Sequence, residues 1–161
     1  MTSRAAALES RTAKPLDTVM HIEVRLPATA DTVFDAWLVP EVMQRWLFVG
    51  PSNKILEVTS DERAGGKFYI REENNGTQID HYGEYLRVER PTLIEFILEV
   101  PLHFQGVSRL KVELQAIEGG CTLALTQTGA GPANADGVWR SMLSGLQRVL
   151  LGKPAVGGDR A

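Results

Sequence analysis

Three histidines, His21, His81 and His103, and one cysteine, Cys121, are the residues of this chain best suited to move protons, bind a metal or attack a substrate. No histidine pairs with another at a metal-ligand spacing, and Cys121 has no partner ligand near it in sequence, so no metal site is expected. His81 stands out because it sits in "DHYGEY", residues 80–85, beside Asp80 and four residues before Tyr85. On a strand lining a cavity, His81 or Tyr85 could supply a proton or a hydrogen bond, which makes them the two catalytic candidates. An ordinary strand histidine at a solvated end is the simpler reading. Serine or cysteine nucleophile arrangements cannot be assembled from local spacing. The stretch "TGAGPANADG", residues 128–137, imitates a dinucleotide loop through Gly129 and Gly131, but Asn134 stands at the third glycine position. It reads as a flexible lip before a helix.

The totals narrow the classes. A chain of 161 residues suits one domain with one sizeable core. With 43% hydrophobic and 23% charged residues, its composition is that of an ordinary globular protein. A net charge of −3 and scattered single Lys and Arg residues give nucleic-acid binding no support. No apolar run approaches the ~18 residues of a membrane helix. A single cysteine excludes an internal disulfide and fits a reducing, cytoplasmic setting. Residues 1–16 lack the apolar core of a secretory signal and are expected to be a disordered leader. Residues 152–161, with Gly and Pro and no periodicity, are expected to be a frayed tail. That leaves 17–151 as the folded domain.

These side chains must be held by the elements that hydrophobic periodicity predicts. "MHIEVRL" alternates as a half-buried strand that Pro27 ends. Thr29 can cap a short helix presenting Val33, Phe34 and Trp37; Pro40 opens a second presenting Val42, Met43 and Trp46. From Lys54 the period becomes two and stays there, through "KILEVTS", "KFYIREE", "IDHYGEYLRVE", "TLIEFILEV", "VSRLKVELQAI" and "CTLALTQT". Asn75-Gly76 marks a hairpin, and Gly83 could mark a bulge that swaps which residues of its strand point inward. Each strand has one dry side, as in an antiparallel sheet covered once. The cover is a last helix whose stripe is Trp139, Met142, Leu143, Leu146 and Leu150. The predicted class is α+β: about seven curved antiparallel strands gripping a long C-terminal helix, with two short helices after the first strand.

The segments "LPATADTVFDAWLVPEVMQRWL", "ERAGGKFYI", "HYGEYLRVERPTLIEF", "TLALTQTG" and "GVWRSMLSGL" carry a further inference. In that order they resemble the activator-of-Hsp90-ATPase homologue family of the START/Bet v 1-like helix-grip superfamily, over about residues 18–151. Val138 separates Gly137 from Trp139, which the family usually has adjacent. The resemblance implies a cavity between sheet and final helix. Superfamily members hold lipids, sterols, polyketides or plant hormones there, and a few catalyse cyclisation or dehydration. The Hsp90 co-chaperones place this domain after a separate N-terminal domain, where this sequence is expected to have a leader of 16 residues, so a co-chaperone role is not the leading expectation.

The leading expectation is therefore a binding module for a small hydrophobic molecule, without cofactor and without a catalytic constellation. Pocket residues are expected on the inward faces of the strands: Phe68 and Ile70, then Tyr82 and Tyr85, then Phe96 and Leu98, then Leu110 and Val112. From the helix come Trp139, Met142, Leu143 and Leu146. Trp37 and Trp46 read as anchors of helices too short to stand alone, Trp46 nearer the cavity mouth and within reach of a ligand. For Trp139, pocket and core readings stand level. Two alternatives remain: a cyclase- or dehydratase-like enzyme using the same cavity, and an Hsp90 co-chaperone-like protein-interaction module using the outer face of the sheet.

Overall fold

The computed structural model describes residues 18–156. Its elements run β1 (Thr18–Leu26), α1 (Ala30–Ala36), α2 (Pro40–Trp46), β2 (Asn53–Ser60), β3 (Lys67–Asn74), β4 (Thr77–Glu89), β5 (Leu93–Glu99), β6 (Ser108–Ile117), β7 (Gly120–Gly129) and α3 (Ala135–Leu150). The strands form one antiparallel sheet in the order β1-β7-β6-β5-β4-β3-β2. Its concave face holds α3, which packs on β1 and α2. This is the helix-grip architecture predicted above.

Local chemistry sets the boundaries. The Thr29 hydroxyl accepts from the backbone N–H of Thr32 at the start of α1, and Pro40 occupies the first turn of α2. Asn75 and Gly76 both take positive φ, 54° and 83°, giving the twisted two-residue turn that joins β3 to β4. Residues 152–156 are not frayed. Lys153 N–H donates to Arg148 O, and Ala155 packs on Gly145, where a Cβ would lie 3.2 Å from its methyl group. The expected leader, and the expected tail beyond residue 156, lie outside the described residues.

Aromatic rings fill the middle of the grip. Trp37 and Trp46 meet edge to face at 4.7 Å, and Trp37 also lies 6.0 Å from Trp139 and 6.1 Å from Phe96. The Trp46 indole N–H donates to Ala36 O at 2.9 Å, tying the end of α2 to the end of α1. Both tryptophans are pegs: Trp46 is completely buried, not at the cavity mouth. Gly83 is not a bulge. It pairs in register with Phe68 and Leu98, and the irregularity in β4 falls between Tyr85 and Arg87. Gly83 makes room instead, since a Cβ there would stand 2.0 Å from the Phe68 ring.

Candidate functional site

With Gly83 in register, His81, Gly83 and Tyr85 point into the grip while Asp80 and Tyr82 point out. The sequence neighbour Asp80 therefore serves another cluster: it accepts from Tyr69 and from Arg71 on the outer face, and those two donors hold its carboxyl below the usual range. Tyr82 is 46% exposed on that face, beside Tyr69, and does not line the cavity.

The partner of His81 comes from β3. Glu72 stands two pairs along in the ladder, opposite Ile79, on the same face as His81 and diagonal to it, within side-chain reach. His81 Nε2 lies 2.7 Å from Glu72 Oε1, and both residues are buried. The other Glu72 oxygen accepts from Asn53 Nδ2, which also donates to Phe48 O at 2.7 Å, while Asn53 Oδ1 accepts from Gly50 N–H. Burial alone would raise the Glu72 carboxyl. The hydrogen bonds from His81 and Asn53 lead the interactions that outweigh it and bring the carboxyl below its ordinary value. An ionised Glu72 requires a donor at His81 Nε2, so in the neutral ring Nδ1 carries the lone pair. That atom is buried and has no hydrogen-bond partner. The Phe48 ring stacks on the imidazole at 3.9 Å and 22°, presented by a backbone with φ +61°, a conformation that costs a non-glycine residue ~1–2 kcal/mol.

These groups form one wall of a cavity of about 760 Å³ between the concave sheet and the start of α3. Leu98, Val100, Leu102 and Phe104 line it from β5 and the loop after it, and Trp139 and Met142 line it from α3. Polar groups are fewer than apolar ones: His81, Glu72 and His103 near β3 and β4, Ser108 and Gln127 on β6 and β7, and Asn134 and Ser141 before and on α3. Gln127 Nε2 donates to Ala130 O at 3.2 Å and approaches Ser108 Oγ at 3.4 Å, and Ser108 Oγ donates to Ala130 O at 2.5 Å. Gln127 Oε1 is left buried without a partner. A separate hollow of about 820 Å³ opens among the exposed Glu23, Arg25, Glu113 and Gln115 side chains and has the solvated character of ordinary surface.

The chain belongs to the activator of Hsp90 ATPase homolog 1-like family. Its sequence matches that family over residues 27–151. Among solved structures, a protein from Chromobacterium violaceum superposes with a TM-score of 0.71 at 23% identity, covering 84% of this chain and 97% of its own. An AHSA1-like protein from Aeromonas hydrophila gives 0.70 at 21% identity, covering 83% and 93%. CalU16 from Micromonospora echinospora gives 0.63 at 23% identity, covering 87% and 78%. At these identities the likeness is one of fold. No curated protein matches the chain by sequence.

Within this family fold, the cavity gathers His81, Leu98, Trp139 and Met142 of the residues expected to line it. Phe68, Ile70, Phe96, Leu110, Val112, Leu143 and Leu146 are inward as expected but belong to the packed centre, away from the cavity lining. Tyr85 is also in the core. Its hydroxyl is spent on Trp37 O and Ser60 Oγ, and burial pushes its pKa up to about 12, so it clamps α1 to the sheet and has no free proton to offer. Sequence reasoning missed Phe48, Asn53, Glu72, Ser108 and Gln127. A signal existed for the last three: each falls in phase with the apolar positions of its strand. Among the described residues no cluster of three His, Cys, Asp or Glu side chains could hold a metal ion, and no helix is long and apolar enough to cross a membrane.

Proposed function

We propose that this protein is a small-molecule binding domain whose cavity takes a hydrophobic or amphipathic ligand. The observation that carries this reading is the 760 Å³ cavity, lined mainly by aliphatic and aromatic side chains with buried polar atoms at two places. Ligand sites are of this kind, roughly 300–1,000 Å³ and mostly apolar, with a few polar groups fixing orientation. Cytoplasmic residence is part of the proposal, because the single thiol, Cys121, is buried and unpaired.

Native mass spectrometry of the protein purified from cells, followed by denaturing extraction, tests it. A discrete added mass that disappears on denaturation is expected. The control is Gly137→Trp: Gly137 lines the cavity, and a Cβ there meets nothing within 4 Å, so the indole can fill the space without disturbing the core. A chain that carries nothing and also refuses a hydrophobic dye would refute the reading.

The Glu72–His81 pair favours one second reading, an enzyme of cyclase or dehydratase type acting in the same cavity. A carboxylate that orients an imidazole and leaves its other nitrogen free is the arrangement of a general base. Replacing His81 by Gln should then abolish turnover while ligand affinity survives; equal loss of both returns the protein to the class of binders.

A further inference from the structure

The unpartnered atoms of the cavity wall restrict what it can hold, given that it is a ligand site at all. Nδ1 of His81 and Oε1 of Gln127 are both buried and unpaired, in residues only 2% and 1% exposed. Both are acceptors. For His81 this holds in the neutral ring, where the Glu72 carboxylate oxygen at 2.7 Å takes the Nε2–H and leaves Nδ1 the lone pair. For Gln127 it follows from Ala130 O, which can only accept and so holds the amide with Nε2 toward it. The glycine taken for a loop lip has a part in this: a Cβ on Gly131 would lie 2.2 Å from Gln127 Nε2, so only glycine lets the amide sit there. Ser108 cannot serve the Gln127 carbonyl, because its hydroxyl proton is directed at Ala130 O.

We propose that the ligand is a neutral, largely apolar molecule bearing two hydrogen-bond donors, hydroxyl or N–H, at opposite ends, one received by His81 Nδ1 and the other by Gln127 Oε1. On a flat sheet three strand spacings, roughly 14 Å, and a register offset of four residues, roughly 13 Å along the strands, separate His81 from Gln127, and the curvature of the sheet brings the two side chains closer. That suits a rigid molecule of two rings. Anions are disfavoured at the His81 end, where Glu72 stands behind the imidazole and only a lone pair faces forward. Entry to the His81 end requires the Phe48 ring stacked on it to move, and Phe48 is only half-buried.

The test uses the wild-type protein and three probes of nearly one shape: a dihydroxystilbene with both hydroxyls para, its monomethyl ether and its dimethyl ether. Isothermal titration calorimetry should show affinity falling about three- to tenfold for each capped hydroxyl. In Gln127→Leu, checked for native circular dichroism, one of those two steps should vanish, leaving a single loss across the series. Equal affinity for diol and diether would overturn the proposal while leaving an apolar ligand site intact, the buried acceptors then being served by water. Binding of a hydrophobic dye with refusal of all three stilbenes would overturn it as well. Refusal of dye and stilbenes together would remove the ligand-site reading beneath it.

Discussion

Replacing Glu72 by Gln is the perturbation that asks most of the site. The carboxylate accepts from His81 Nε2 and from Asn53 Nδ2, both buried or half-buried donors. Hydrogen bonds to a charged group contribute about 1.5–3 kcal/mol each and neutral ones about 1 kcal/mol. Two charged bonds replaced by two neutral ones, less the relief of no longer burying a charge, cost about 2 kcal/mol, a fall in Tm of roughly 4–8 °C for a domain of this size. The new amide can satisfy both neighbours in only one way, its oxygen toward Asn53 and its NH₂ toward the imidazole. His81 must then accept at Nε2 and carry its proton on Nδ1, so the cavity wall changes from acceptor to donor. The pH dependence has a definite sign. A carboxyl held below its ordinary value of 4.5 contributes stability that is present above that pH and lost as pH falls through the lower folded value. Thermal unfolding followed by circular dichroism should therefore show the gap between wild type and Glu72→Gln at its full width near pH 7 and shrinking below about pH 4.5. A gap of constant width from pH 7 to pH 3, or a variant more stable than wild type at neutral pH, would show that Glu72 is not the ionised acceptor described here.

Other substitutions test the packed centre. Gly83→Ala forces a Cβ to within 2.0 Å of the Phe68 ring and should cost about 2–3 kcal/mol in urea unfolding; combining it with Phe68→Leu should recover part of that, and strict additivity would count against the contact. Trp46→Phe removes the donor to Ala36 O and part of a fully buried ring, so the unfolding free energy from urea denaturation should drop by about 2–3 kcal/mol with dye binding by the cavity unchanged. Cys121 is completely buried and its thiol is pushed up by that burial, so a thiol reagent should modify the native protein only at the rate of global unfolding; labelling within minutes in buffer would contradict its place in the core.

How much of this was legible in sequence depended on whether the deciding contact was local. Strand period, the Thr29 cap, Pro40 and the Asn75-Gly76 turn are local signals, and they placed all ten elements in order. The inward stripe of α3 was equally plain. Facing in β4 was not, because Gly83 admits two explanations that differ only in what lies across the ladder; the Phe68 ring settles it from β3. The site failed for a related reason. Asp80 is adjacent to His81 in sequence but on the other face, while the true partner, Glu72, is reached through the β3–β4 register, which no local pattern gives. Asn53 and Phe48 were less accessible still, their roles arising from a connection in which one side chain bridges the Phe48 carbonyl, the Gly50 N–H and the Glu72 carboxylate.

The polar exceptions in the apolar phase explain where the cavity lies. Along β3 the inward series runs Phe68, Ile70, Glu72; along β7 it runs Cys121, Leu123, Leu125, Gln127; along β6 it runs Ser108, Leu110, Val112, Leu114. At the closed end and centre these positions are filled by residues that interdigitate without hydrogen-bond demands, and Trp37, Trp46, Phe68, Tyr85 and Phe96 take up the remaining space. Toward the other end the same phase brings in Glu72, His81, Ser108 and Gln127, which cannot pack as hydrocarbon and must be paired or left costly. Most of their polar atoms are paired within the wall. Those that are not, His81 Nδ1 and Gln127 Oε1, belong to residues lining the cavity between the sheet and α3. A chain selected only for stability would gain by an aliphatic residue at either position, so their presence there is best understood as the cost of receiving a donor from outside the protein.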